Sequence, residues 1–271
     1  MKDIGRLVEE VVSWIRRKVE EAGATGTVLG LSGGLDSAVV GALCKMAFPE
    51  TTLGLIMPCH SLKEDIEDAM LVAGKFGIEV KLIDLSKVFE SIYEALEGKR
   101  VQEGILDIPT ANIKPRLRMI TLYYYASKLR RLVVGTGNKS EISVGYFTKY
   151  GDGGVDILPI GGLLKSEVRA LAAELGVPRK IIEKPPSAGL WVGQTDEGEM
   201  GITYEMLDGI IKAMDSGDIS SFNPELVGKV KLMIERSEHK RNPPPIFRPS
   251  FSMESKNPGE EENGKEKAGR I

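Results

Sequence analysis

Residues 27–37 read Thr-Val-Leu-Gly-Leu-Ser-Gly-Gly-Leu-Asp-Ser, and no other segment restricts the fold of this chain as tightly. Thr27 to Leu31 is a short apolar run bounded by glycines, the pattern of a buried strand. It runs into a turn holding Gly33 and Gly34, and an apolar helical pattern follows over 36–48. Two glycines at that place let backbone N–H groups turn toward an anion, and the start of the helix adds its positive end. Hydroxyls of Ser32 and Ser37 can donate two more hydrogen bonds. Asp36 puts a carboxylate beside the same anion, which is reconciled by a cation such as Mg²⁺ between them. The turn is not the G-x-x-x-x-G-K-[ST] loop, because that spacing is absent and no lysine follows the glycines. A bare Ser-Gly-Gly triplet is ordinarily a turn with a capping serine. The strand before it, the helix after it and the carboxylate within it favour phosphate binding.

The remaining pattern predicts an α/β fold with a mainly parallel, doubly wound sheet, helices on both faces and helical additions toward the C-terminus. Ile4, Leu7, Val8, Val11, Val12, Ile15 and Val19 fall three or four apart. They form the stripe of an amphipathic helix ending near Gly23, expected to pack on the sheet edge or on a second subunit. Further strands are expected at 52–57, 80–83 and 131–134. Ser61-Leu62-Lys63-Glu64 reads as a capping box opening a helix that stops near Gly77. Beyond Pro159, helices are expected at 163–175, closed by Gly176 and Pro178, at 204–214 and at 224–235. The loop from Lys184 to Gly201 is long for a connector, as active-site lids and disordered segments are. Residues 1–250 are expected to form one domain, and 251–271 a charged, mobile tail with little to bury. No internal repeat is visible.

Composition narrows the function classes. With 36 Lys and Arg against 39 Asp and Glu, a net charge of −3 and a pI near 5.7, the chain has no basic excess for nucleic acid. A small charged metabolite fits better. Cys44 and Cys59 form no C-x-x-C pair and cannot build a zinc cluster alone, so a reduced, cytoplasmic setting is the simplest expectation. No stretch approaches 18 uninterrupted apolar residues, and the first ten residues carry mixed charge. A membrane span and a secretory leader are therefore not expected.

The segment Ser-Gly-Gly-Leu-Asp-Ser after a buried strand resembles the pyrophosphate loop of the N-type ATP pyrophosphatases. The resemblance implies an adenine nucleotide alpha-hydrolase-like fold and cleavage of ATP between its α and β phosphates, with adenylation of a carboxylate or carbonyl oxygen. It implies ATP contacts at Gly30, Leu31, Ser32, Gly33, Gly34, Leu35, Asp36 and Ser37, with Asp36 also a Mg²⁺ ligand. GMP synthase, asparagine synthetase, argininosuccinate synthetase, tRNA-thiolating enzymes and NAD synthase share the loop, so the loop alone implies the half-reaction and leaves the substrate open.

Over roughly residues 3–248 the chain is similar, segment after segment, to the NAD synthase family. Asn112-Ile113-Lys114-Pro115-Arg116-Leu117-Arg118-Met119 resembles N-I-x-A-R-x-R-M, with Pro115 in place of the usual alanine; Arg116 is implied to contact deamido-NAD. Gly135 to Glu141 resembles G-T-x-N-x-[ST]-E, implying Thr136 as an ATP contact and Glu141 as a second Mg²⁺ ligand. Gly145 to Gly154 alternates aromatics, a lysine and an acid among glycines. Lys149 and Asp156 correspond to deamido-NAD contacts, and Asp152 to a carboxylate near the nicotinate ring and the ammonia site. Lys165 matches the lysine that meets the ATP phosphates. Ser187, in Pro-Ser-Ala-Gly-Leu, stands where threonine is usual and keeps the hydroxyl that contacts ATP. His239 and Lys240 match a C-terminal deamido-NAD element.

Without the resemblance these residues have ordinary readings. Arg116, Lys165 and His239 would be solvated surface residues, Tyr146 and Phe147 packing residues, and Glu141 a helix-capping acid.

The resemblance implies a ligase that uses ATP and Mg²⁺ to amidate deamido-NAD with ammonia, giving NAD, AMP and pyrophosphate as the final step of NAD biosynthesis, in a homodimer. Lacking the glutaminase domain of larger relatives, the chain is expected to use glutamine poorly. The alternatives are another pyrophosphatase-loop ligase of the GMP synthase or thiolating kind, and a non-catalytic adenine-nucleotide binder.

Overall fold

The computed structural model describes residues 3–101, 107–191 and 193–249. The tail expected over 251–271 lies outside the described residues.

Helix α1 (Ile4–Glu21) is capped by Asp3, whose side chain accepts the Arg6 N–H, and it buries the predicted stripe Val8, Val11, Val12, Ile15 and Val19. Strand β1 (Thr27–Gly30) leads through the glycine turn into α2 (Leu35–Ala47). Then come β2 (Thr52–Ile56), α3 (Lys63–Phe76), β3 (Glu79–Leu82), α4 (Ser86–Glu97), the single turn α5 (Ile108–Ala111), α6 (Ile113–Leu129) and β4 (Leu132–Val134). All four strands are parallel, in the order β3-β2-β1-β4. The chain steps outward from β1 to β3 and then doubles back past β1 to β4. The switch point between β1 and β4 therefore opens a crevice at the carboxyl ends of these two strands, where open α/β sheets bind ligands.

The rest is helical: α7 (Lys139–Val144), α8 (Lys165–Glu174), α9 (Arg179–Glu183), α10 (Asp196–Met200), α11 (Tyr204–Ser216), α12 (Pro224–Arg236) and α13 (Glu238–Arg241). One apolar cluster joins α1, α2, α3 and α8 to one face of the sheet, for example Ile15, Leu29, Leu43, Val72 and Leu171. A second, around Val28, Leu55, Phe89, Leu117 and Val133, seats α4 and α6 on the other face. A third, around Leu207, Ile210 and Val230, holds α11 and α12 together beyond the sheet.

Three expectations need correction. The α1 stripe does not pack on the sheet edge; it lies on α2 and α8, which cover that face first. Ser61 caps nothing: α3 begins at Lys63 behind Leu62 without a side-chain cap. The Ser61 hydroxyl instead accepts the Cys59 N–H at 3.2 Å, a local side-chain bond that competes with capping. A reciprocal capping box occurs at Asn138 and Glu141, opening α7. Finally, the 184–201 segment, of which residue 192 lies outside the described residues, is not all loop. It contains α10, whose start is capped by Thr195 accepting the Gly198 N–H.

Candidate active site

The glycine turn is built by steric necessity. Gly33 has φ +79°, and a Cβ there would stand 2.5 Å from the Asp65 carbonyl oxygen and 2.9 Å from the Asp68 Cβ. Left-handed backbone and close approach of α3 both require glycine. Gly34 is the N-cap of α2 and offers no side chain, so no side chain caps the first-turn amides of α2 at the positive helix end. The two serines expected as anion donors divide. Ser32 is exposed at the mouth. The buried Ser37 hydroxyl accepts the Ser32 N–H at 3.3 Å and donates to the Gly34 carbonyl at 3.0 Å. Ser37 thus holds the turn in shape from within.

Beside the turn, four segments far apart in sequence converge. Lys165 opens α8 and is only 3% exposed. Its Nζ donates to Asp36 Oδ2 and, at 3.2 Å, to Glu141 Oε1. It also lies 4.8 Å from the centre of the Tyr204 ring. Asn138 donates to the other Asp36 oxygen at 3.1 Å, and Tyr204 donates to Glu141 Oε1 at 3.1 Å. Glu141 caps its helix while facing the cluster: Oε2 accepts the Asn138 N–H of the capping box, and Oε1 faces Lys165. Burial, then the like charge of Asp36, pushes the Glu141 carboxyl up to about 7, against the pull of Lys165. For Lys165, burial disfavours the charge, but Asp36 and Glu141 outweigh it and hold its pKa above the ordinary lysine range.

This donor set suits a divalent cation. Two carboxylates and one ammonium leave the cluster a net negative charge, set beside a turn shaped for phosphate. Among the described residues no group of three or more His, Cys, Asp and Glu is arranged to hold a metal alone. Mg²⁺ commonly takes one or two carboxylates and completes its shell with phosphate oxygens and water.

Turn and cluster form one end of a cleft of about 860 Å³ that also takes in Thr136, Arg116, Lys149, Asp152, Ser187, His239 and Lys240. At the other end the cations are held by backbone carbonyls. Lys240 donates to the carbonyls of Gly145 at 2.8 Å and Phe147 at 2.9 Å. Burial lowers its pKa, against the pull of Asp152 and Glu199. Lys149 donates to the His239 carbonyl, and Arg116 reaches the Lys149 carbonyl at 3.4 Å. Among the described residues Arg116, Arg118, Lys149 and Lys240 make no ion pair. Asp152 accepts the Thr148 N–H at 2.9 Å. Although open to water at the mouth, Asp152 is walled by protein, and that desolvation raises its pKa, against the Thr148 amide and Arg118.

Asp156 is not among the residues lining the cleft. Its carboxylate accepts the Val133 N–H of β4 at 2.7 Å and the Tyr123 hydroxyl at 2.9 Å. Ser187 Oγ accepts the Gly189 N–H at 3.1 Å within the 184–201 segment.

Several residues of the site carried no assignment in the sequence. Arg118 lines the cleft with Nε on the Met57 carbonyl at 3.2 Å. Asn138 and Arg118 stand inside motif segments and were legible there. Tyr204 gave no signal, since a tyrosine opening an apolar helix reads as core.

The chain matches the sequence profile of the NAD synthase family over residues 7–244. It is 52% identical over 247 residues to the NH(3)-dependent NAD(+) synthetase of Archaeoglobus fulgidus, covering 90% of this chain and 96% of that one. It is 50% identical over 238 residues to the protein of the same name from Carboxydothermus hydrogenoformans, covering 88% and 95%. Among solved structures, an NMN synthetase from Francisella tularensis is similar with a TM-score of 0.82 and 35% identity, over 93% of this chain and all of that one. An NH3-dependent NAD synthetase from Campylobacter jejuni, in complex with the nitrate ion, is similar with a TM-score of 0.78 and 31% identity, over 92% of this chain and all of that one. The parallel sheet, the glycine turn at its switch point and a match running through nearly the whole described chain agree, and the chain belongs to the NAD synthase family.

Proposed function

We propose that this protein amidates the nicotinate carboxylate of deamido-NAD with ammonia, consuming ATP and releasing AMP and pyrophosphate. The observation that carries the reading is the convergence of Lys165, Asp36 and Glu141 beside an anion-binding turn at the β1/β4 switch point. A carboxylate is a poor electrophile, so one of its oxygens must first become a leaving group. Attack of that oxygen on the α phosphorus of ATP forms the acyl adenylate and expels pyrophosphate. The first-turn amides of α2 and the Lys165 ammonium stabilise the charge that gathers on the departing phosphates. Asp36 and Glu141 would hold Mg²⁺, which would supply further neutralisation of the phosphate charge. Thr136 and Ser187 supply hydroxyls to the nucleotide.

On the far side, Arg116, Lys149, His239 and Lys240 receive the anionic dinucleotide. Neutral ammonia then attacks the acyl carbon, the bond to AMP breaks, and Asp152 takes the proton lost by the incoming nitrogen. A carboxylate whose pKa is raised by the protein walling it is suited to that task.

Residues 1–250 act as one domain in this reading. Two copies pair through α6, whose Ile120 and Tyr124 are each 59% exposed. Buried, unpaired Cys44 and Cys59 fit a reducing cytoplasmic setting. No helix among the described residues is long and apolar enough to cross a membrane.

Incubation with deamido-NAD, ATP, Mg²⁺ and ammonium should yield NAD, AMP and pyrophosphate in equal amounts. A parallel arm with nicotinic acid mononucleotide tests the mononucleotide chemistry named for the Francisella relative. Turnover of the mononucleotide with none of deamido-NAD would reassign the substrate, and ATP binding without either amide would reduce the protein to a nucleotide binder.

A further inference from the structure

Lys114 is only 2% exposed, yet among the described residues it has no carboxylate partner. It sits on α6, with its ammonium 5.5 Å from the centre of the Phe89 ring. Its hydrogen bond runs to a distant segment: Nζ donates to the Leu190 carbonyl at 2.7 Å. An ammonium taken out of water is costly unless it is hydrogen-bonded. The residue that satisfies this one belongs to the 184–201 segment, whose Pro186, Ser187 and Leu190 line the cleft. Movement of that segment away from α6 would leave the Lys114 charge stranded against an aromatic face.

The same tip is tied onward to the nucleotide cluster. The Leu190 N–H donates to Gln194 Oε1 at 2.8 Å, and Gln194 Nε2 donates to Glu199 at 2.8 Å. The Tyr146 hydroxyl lies 2.8 Å from Glu199 and 3.2 Å from Asp196. The Tyr204 hydroxyl lies 3.0 Å from Asp196 and 3.1 Å from Glu141, the partner of Lys165. At the root of the segment Lys184 pairs with Asp65 at 2.8 Å and Asp68 at 2.6 Å. The tip, in contrast to the root, is held to α6 through one lysine.

We propose that Lys114 is the latch of a lid over the cleft: a positioning residue that, through Leu190, keeps the lid shut and water away from the acyl adenylate. The inference rests on the amidation reading for its consequence and on the geometry alone for the latch. With the latch gone, water competes with ammonia for the acyl carbon. Water's oxygen forms the new bond, the bond to AMP breaks, and the products are the starting acid and AMP, with no amide.

The test uses the full chain carrying Lys114→Met, with hydrogen–deuterium exchange of residues 184–201 and the AMP-to-NAD ratio as readouts. Loss of a charge-assisted hydrogen bond should raise exchange at the lid tip about tenfold. The ratio should climb from one to well above one and fall again as ammonium is raised. The variant Gln194→Leu cuts the second tie of the same tip without touching α6 and should show the same two effects, which keeps the test decisive if Lys114→Met folds poorly. Unchanged exchange would overturn the latch. Faster exchange with a ratio that stays at one would overturn its role in protecting the intermediate. Faster exchange in a protein whose wild type forms no NAD would sink the amidation reading and leave the latch standing.

Discussion

The two ends of the cleft treat their cations in opposite ways. At the nucleotide end Lys165 is buried and clamped by two carboxylates, which are themselves fixed by Asn138 and Tyr204. At the other end Lys149 and Lys240 rest on backbone carbonyls, and among the described residues neither makes an ion pair. The first arrangement is preorganised: its charges are placed before ligand arrives, and they cost little reorganisation when phosphate charge shifts. The second is a set of charges in contact with carbonyl dipoles in place of ion-pair partners, which suits an anionic dinucleotide that binds and leaves. In the proposed reading, chemistry and recognition are thus separated along one groove.

Perturbing the clamped end should have the largest effect. Lys165→Met leaves Asp36 and Glu141 facing each other. Turnover is expected to fall by about a thousandfold, as for loss of an oxyanion donor. Thermal unfolding should show a loss of about 3–5 kcal/mol, as for a broken buried pair. An equal fall in kcat and in kcat/KM for deamido-NAD would place the defect in the chemical step. Asp36→Asn should stay folded and release no pyrophosphate; near-normal release would remove Asp36 from the nucleotide site.

The open end should respond differently. Lys149→Met and Lys240→Met are each expected to raise KM for deamido-NAD by about tenfold, the effect of one charge-assisted contact. KM for ATP and the melting temperature should hardly move. A matching rise in KM for ATP would erase the distinction between the two ends.

Ammonia sharpens the comparison further. At fixed total ammonium, kcat/KM for nitrogen should rise by about tenfold per pH unit through the mildly alkaline range, because only the deprotonated form is a nucleophile. A flat profile would point to bound ammonium as the species used. The smallest expected effect is Ser37→Ala, which removes the hydroxyl's hydrogen bonds to the Ser32 N–H, the Ser32 hydroxyl and the Gly34 carbonyl inside the turn. It should cost about 1 kcal/mol of stability with a modest rise in KM for ATP.

Much of the nucleotide end was legible in the chain itself. A glycine turn between apolar strand and helix has few structural solutions, so Gly33, Gly34 and Asp36 could be placed before any coordinates. The four strands fall within a residue or two of their expected limits; β1, β2 and β4 are the apolar runs of a buried parallel sheet, whereas β3 is an exposed edge strand. Charged residues distant in sequence were legible only through the family resemblance. Lys165 opens a helix and reads locally as a surface lysine; only the fold brings it to Asp36, 129 positions away. Tyr204 and Lys114 were invisible for the same reason, since nothing local marks a core tyrosine or a helix lysine as part of a polar network. Local reading failed outright at Ser61, where a capping pattern was satisfied by a competing backbone contact.

The central claim is that the acid oxygen of the substrate attacks the α phosphorus of ATP. Deamido-NAD labelled with ¹⁸O in its nicotinate carboxylate tests it directly in a single turnover with ammonium. One labelled oxygen is expected on the phosphate of AMP and none in pyrophosphate. Unlabelled AMP, or label in orthophosphate beside ADP, would contradict it.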